Sequence, residues 1–339
     1  MQGRSRVVSP IIAALLTLAI FALILRRVPF SSLAAALHDA DYRLFLALMI
    51  PNTLFYFAWD TLVLSVVIGW FHGAVPYRDL LPVRAASYVV GFFNTNLGRG
   101  AMAAYLSRRL HAPLLELGST VIFLVLTEYT QLVLWAMLGI VGFRADVTGG
   151  LLAVAASVAA LWMIFFLYTR LHVTPTRLVR RALAPREWPI FRTFRLATLS
   201  RYAQVVLLRA PMFVVSLCAH YYAARAFGIH IPFGQMLAFL PVIFMLAALP
   251  VTVAHLGTTQ AAWIFFFSQY ASAPRLLAFS LAAHLAFTST RAIVGVLWLP
   301  TAYFDLAPHA APARQAAISV PVTSAPAHMP ASGRTSETA

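Results

Sequence analysis

The apolar positions of this chain fill continuous runs instead of marking one face of a helix. Runs of roughly 20 residues match the thickness of a bilayer core. Full spans are predicted at Val7–Leu25, Leu44–Trp70, Leu114–Gly142, Leu151–Leu171, Arg201–Phe227 and Pro274–Tyr303. Two further regions are apolar but interrupted. Leu80–Leu110 is cut by Asn94, Asn96, Gly98 and Gly100. Phe233–Ala271 is cut by Pro250 and by the stretch AHLGTTQ, residues 254–260. Barrel strands would alternate over about 10 residues, which these runs do not do. The pattern predicts an all-α polytopic membrane protein with about six full transmembrane helices plus two broken re-entrant hairpins, about eight to ten apolar segments in all.

The two interruptions resemble each other. One reads NLGRGA from Asn96, the other HLGTTQ from His255. A full span precedes each, and a proline turn (Pro113, Pro274) and a long helix follow. This suggests repeat units at about 44–142 and 201–303, joined by a linking helix at 151–171. Residues 172–200 carry Arg177, Arg180, Arg181, Arg186, Arg192 and Arg195, which marks a cytoplasmic loop. Orientation propagates from there: the first interruption faces the cytoplasm and the second faces outside, so the repeat is inverted. Both termini are then cytoplasmic, against the weight of Arg26, Arg27 and Arg43, which fall outside. The helix at 7–25 reads as an uncleaved first span, since Arg26 and Arg27 follow it directly. Ser31–Ala40 reads as a surface helix. Residues 1–303 form a single transmembrane domain, and the Ala-, Pro-, Ser- and Thr-rich stretch 304–339 is expected to be a disordered cytoplasmic tail.

Composition narrows the function. The chain is 61% hydrophobic and 10% charged, with a formal net charge of +15 and no lysine. In a membrane protein such charge points to orientation and to lipids with anionic headgroups, and no module for nucleic acid is visible. Cys218 is the single cysteine, so no intrachain disulfide and no thiolate metal site are expected. His220 and His284 have no partner at metal-ligand spacing and read as helix-contact residues, while Tyr221 and Tyr222 read as interface anchors. No HExxH, CxxC or GxSxG occurs, so neither an enzyme nor a cofactor is expected.

The candidate site residues are polar groups in apolar surroundings. Asp60, Glu128, Arg209 and Arg291 fall inside predicted spans, where each costs roughly 2.5–3.5 kcal/mol unless paired or hydrated. Glu128 and Arg291 lie in equivalent helices and are expected to pair across the pseudo-symmetry axis, with Asp60 and Arg209 as a second pair. They mark a substrate pathway or, on the plainer reading, a static ion pair that fixes helix packing. At the two turns, Asn94, Asn96, His255, Thr258 and Gln260 can satisfy backbone freed by a broken helix, or line a cavity. Gly98, Gly100 and Gly257 are expected to allow tight reversals beside Arg99 and Pro250. Arg99, Arg108 and Arg109 are candidate headgroup contacts, with positive-inside anchoring as the favoured alternative.

Together these stretches resemble the transmembrane region of lysylphosphatidylglycerol synthases and the flippase-like stand-alone proteins related to them. The resemblance runs over roughly residues 10–300 and is carried by residues 94–139 and by LPVTVAHLGTTQAAW (249–263). Where members have a Pro-Arg-Gly-Gly-Asp-like turn, this chain keeps Gly98, Arg99 and Gly100 without the proline or the acid. Where they have Pro-x-x-x-Gly-Gly-x-Gly-x-x-Glu, it keeps Pro250 and Gly257, with His255 at a glycine position and Gln260 at the glutamate. Those two departures are the expected places for a difference in substrate. The resemblance implies translocation of a lipid or lipid-linked substrate in a bacterial-type inner membrane. Residues 304–339 are too few for the synthases' aminoacyl-transfer domain, so lysyl-lipid synthesis by this chain is not expected. A non-transporting accessory subunit of an envelope-lipid pathway and a small-solute secondary transporter are the alternatives.

Overall fold

A computed structural model of the chain describes residues 10–93, 95–143, four short stretches between 156 and 168, 187–247 and 256–306. Apart from one 3₁₀ turn at Pro189–Phe191, the described regular elements are α-helices: α1 (Pro10–Arg27), α2 (Phe30–His38), α3 (Tyr42–Phe71), α4 (Tyr77–Phe93), α5 (Thr95–Leu110), α6 (Leu114–Phe143), α7 (Arg192–Leu196), α8 (Leu199–Arg225), α9 (Phe233–Ala247), α10 (Thr258–Phe267) and α11 (Ala273–Leu306). Local chemistry places the starts. Asp41 caps α3, its carboxylate accepting from the Arg43 and Leu44 N–H groups at 3.1 Å. Thr198 caps α8 through the Arg201 N–H at 3.3 Å. Pro113 precedes α6, and Pro274 occupies the first turn of α11, where a missing N–H costs nothing.

Among the described residues, four helices are long and apolar enough to cross a membrane: Tyr42–Phe71, Leu114–Phe143, Leu199–Arg225 and Ala273–Thr301. The described residues give a fifth if α1 and α2 together count as one span, and these bend by 90° at their junction. The expected spans at 44–70, 114–142, 201–227 and 274–303 are these four, and the one at 151–171 lies largely outside the described residues. Pro29, at the N-cap of α2, accounts for the bend between α1 and α2, since the residue before a proline is pushed out of helical geometry. α2 is largely exposed, as a surface helix should be, while Leu33 is buried and the helix packs against α11. The expected linking helix at 151–171 and the tail at 307–339 lie largely or wholly outside the described residues.

Both interrupted regions fold back on themselves. Ser87 and Gly98 would sit about 16 Å apart along one straight helix. Instead, a Cβ on Gly98 would lie 2.7 Å from the Ser87 carbonyl oxygen and 2.9 Å from Gly91 Cα. In the second region Phe239 of α9 stacks on Phe266 of α10, with ring centroids 4.8 Å apart. The arms have 17 and 16 residues in the first hairpin and 15 and 10 in the second. At 1.5 Å per residue these described lengths fall short of the ~30 Å of a hydrocarbon core.

Packing follows a regular scheme. α6 packs on α9, and α11 packs on α4. α3 packs on α11, and α8 on α6. Exchanging the two units (α3 for α8, α4 for α9, α6 for α11) turns each of these contacts into the other of its pair, and turns the α3–α8 contact into itself. A glycine sits at each of the α6–α9 and α11–α4 crossings. A Cβ on Gly139 of α6 would lie 2.5 Å from Ala238 N, and one on Gly295 of α11 would lie 2.8 Å from Ala85 O. Small residues let helices approach closely where lipid offers no hydrophobic drive.

The two halves differ in content. Around the second hairpin, Met236, Leu237, Ala238, Leu240, Trp263, Phe267 and Phe279 build the larger apolar core. His220 belongs to it, hydrogen-bonded to the Ser216 carbonyl at 2.7 Å and facing Phe244, Trp263 and Phe279, so it is a helix-contact residue as expected. The expected cytoplasmic loop is partly folded at its C-terminal end. Phe194 is buried, Arg192 pairs with Glu116 at 3.2 Å, and the Thr193 and Thr120 hydroxyls meet at 2.8 Å. Thr120 also meets His72 at 2.7 Å, where burial and the nearby Arg192 charge hold the imidazole below its ordinary pKa.

Candidate functional site

The polar half surrounds a cavity of about 90 Å³ between α3, α4, α5, α6, α8 and α11. Helical spacing aims its walls. Tyr56 and Asp60 are one turn apart on α3, Arg84 and Tyr88 one turn apart on α4, and Arg291 enters from α11. Gly91 and Gly98 line it where the first hairpin's arms cross, and Arg99 enters from α5. Glu128 projects from α6 and Arg209 from α8.

The ionised groups form a chain. Arg84 Nη2 donates to Asp60 Oδ2. The other Asp60 oxygen lies 3.6 Å from Arg209 Nη1. Arg209 Nη2 then reaches Glu128 Oε2 at 3.1 Å, and Arg99 approaches the same oxygen at 3.7 Å. Tyr56 donates its hydroxyl to Glu128 Oε1 at 3.4 Å. Asp60 and Arg209 are sealed, with side chains 8% and 4% exposed, whereas Arg99 and Glu128 are 27% and 30% exposed and reach the molecular surface. The cavity therefore has a closed end at Asp60 and an open end at Arg99 and Glu128. Arg209 bridges two carboxylates, so neither is left as a lone buried charge.

The expected Glu128–Arg291 pair does not form. Arg209 occupies Glu128, and Arg291 lies over the Tyr88 ring at 3.7 Å and near Phe287 at 5.0 Å. The reason is packing: α6 lies against α3, α5, α8 and α9, while α11 lies against α2, α3, α4 and α10. Among the described residues Arg291 makes no ion pair, and the ring faces supply the attraction. The expected Asp60–Arg209 pair is present. Arg84, which sequence reasoning passed over, is the principal partner of Asp60. Its signal was available, as the only charge between Asp79 and Arg99.

The turn residues divide. Asn94, Pro250 and His255 lie outside the described residues, and Asn96 falls within α5. Gly98, Arg99 and Gly100 are helical, so the first break lies before them, between α4 and α5. Gly98 serves close packing, not a reversal. Gly257 does adopt the left-handed conformation, at φ 93°, at the start of α10. Gln260 reaches back to it, its Oε1 accepting from the Gly257 N–H at 2.6 Å. Gln260 is fully buried and absent from the cavity wall, so it repairs the break. Thr258 likewise lies at the start of α10, away from the cavity wall. Of the candidate headgroup contacts, Arg109 is held by Asp79 and Tyr105, and Arg108 is exposed outside the cavity.

Comparison with known proteins adds one match. A family model described as Lysylphosphatidylglycerol synthase TM region covers residues 10–295, from α1 through most of α11. No curated protein matches the chain.

Proposed function

This multi-pass membrane protein belongs to the Lysylphosphatidylglycerol synthase TM region family, and from that premise we propose that it translocates a lipid or lipid-linked substrate across a bacterial-type inner membrane. One observation carries the reading: buried charges from both halves converge on a cavity that opens at one end. Charges at membrane depth are costly, and a static bundle gains little by retaining them. Arg209 faces two carboxylates and can shift between them without being stranded, which suits a site rearranged during transport.

In this proposal the two hairpins are re-entrant, the units are related by inversion, both termini are cytoplasmic and no chemical step is catalysed. The exchangeable packing of α3, α4 and α6 with α8, α9 and α11 supports a repeat. Irregular backbone at membrane depth is tolerated where it lines a cavity or is buried in protein, which suits both breaks. Labelling from either side tests the inversion. With Cys218 removed, single cysteines at Asn96 and Thr258 are expected to react from opposite faces of sealed vesicles. Reaction from the same face would overturn the inverted arrangement.

Transport is tested by reconstituting the purified chain in vesicles with fluorescent lipids and following their loss from one leaflet. Glu128→Gln and Arg291→Ala are each expected to slow translocation by about tenfold or more, the scale of one lost charge-assisted contact. Folded protein that moves none of a panel of lipids would sink the transport reading and favour an accessory subunit.

A further inference from the structure

The cavity wall carries Arg84, Arg99, Arg209 and Arg291 against Asp60 and Glu128, two positive charges in excess. The other described carboxylates do not supply the balance. Asp79 is engaged by Arg109, and Glu116 by Arg192. Asp39 and Asp41 lie at the junction before α3, and Glu187 lies beside the 3₁₀ turn. Asp305 is about 21 Å along the helix from Arg291. Three buried polar atoms of the wall find no partner among the described residues: Arg84 Nε, Arg291 Nε and the Tyr88 hydroxyl. All three can donate a hydrogen bond.

From this charge excess and these unpartnered donors on lining residues, we propose that the cavity binds a dianionic phosphoryl group of the phosphomonoester class. The proposal rests on the translocation reading for its site and goes beyond it in naming the chemistry recognised. A dianion cancels the excess, whereas a carboxylate or phosphodiester leaves one guanidinium uncompensated in a low-dielectric site. A phosphoryl group also offers three acceptor oxygens, and guanidinium forks match them geometrically. The volume admits such a group and not an acyl chain. The group enters at the open end beside Arg99 and Glu128. Arg291 is its principal ligand, being held by aromatic faces and making no ion pair among the described residues.

The test uses the full chain in phosphatidylcholine nanodiscs. Thermal unfolding is followed as inorganic phosphate is titrated against chloride at equal ionic strength. Phosphate is expected to raise the unfolding temperature saturably, and chloride to leave it unchanged. Arg291→Gln is expected to weaken the phosphate midpoint about tenfold or more. Asp60 keeps Arg84 and Arg209 and Glu128 keeps Arg209 and Arg99, so the variant is expected to fold. Arg291→Lys should recover part of the affinity, and Arg225→Gln, on the exposed Tyr221–Tyr222 face, should change nothing. A second arm places phosphatidic acid in the nanodisc. Stabilisation by the lipid but not by free phosphate identifies a lipid headgroup as the source and supports the proposal. Stabilisation by free phosphate but not by the lipid supports the phosphoryl site and overturns lipid translocation through it. No response to either, or an unchanged midpoint in Arg291→Gln, overturns the proposal. Lipid movement with no phosphoryl binding would leave the transport reading intact and end this one.

Discussion

Replacing Asp60 with asparagine is expected to destabilise the protein by about 3–5 kcal/mol, the range for removing one partner of a buried ion pair. Asp60 lies between Arg84 and Arg209, and it is the sealed carboxylate of the cavity. Without it Arg84 keeps no carboxylate, and Arg209 keeps only Glu128. Thermal unfolding of detergent-purified protein, read by loss of the monodisperse elution peak, is the check. The double variant Asp60→Asn, Arg84→Gln should recover part of the loss, because it removes the stranded cation as well as the anion. Glu128→Gln should cost less than Asp60→Asn, since its side chain is 30% exposed and Arg209 retains Asp60. An Asp60→Asn variant that unfolds with the wild type would show that the charge chain contributes nothing to the fold.

Alanine at Gly139 or Gly295 is the second large effect. The added methyl would meet backbone: Ala238 N at 2.5 Å in one case and Ala85 O at 2.8 Å in the other. Backbone does not rotate aside, so the crossing helices must part. Overpacking of this kind costs about 1–3 kcal/mol or more. The two positions occupy the reciprocal crossings of α6 on α9 and α11 on α4, so similar losses are expected from both. Gly69 and Gly100 are helical, and a Cβ added at either would meet nothing within 4 Å. Alanine there should be neutral, or stabilising by up to about 1 kcal/mol through helix propensity. Equal unfolding temperatures for all four variants would mean that the glycine crossings do not hold the bundle together.

Much of the molecule was legible in the chain. Runs such as Leu44–Trp70 and Leu114–Gly142 emerge as helices within a residue or two of the expected bounds. Interruption of Leu80–Leu110 and Phe233–Ala271 was also legible, because Gly, Pro and Asn act on their own neighbours. The positions of individual breaks were less so. The glycines of NLGRGA suggested a turn, yet they are helical, and Gly98 is explained by an arm that comes back to it from Ser87. For Gln260 the chain left two readings open, repair of the broken backbone or a place near substrate, and it caps its own helix, its Oε1 taking up the Gly257 N–H.

By itself the sequence determined the class and the parts: an all-helical membrane protein, two broken regions, and charges at Asp60, Glu128, Arg209 and Arg291 that need partners in an apolar medium. Those are properties of length and local solvation, which a chain states without reference to its fold. Only the tertiary structure decided which charge meets which. Pairing depends on how long helices cross and rotate, and a turn of the helix moves a guanidinium from one carboxylate to another. Glu128 therefore found Arg209 and Arg99, Asp60 found Arg84 as well as Arg209, and Arg291 came to rest on Tyr88. The same crossings left the second hairpin packed with aromatic side chains and placed the cavity, with its surplus of positive charge, at the first.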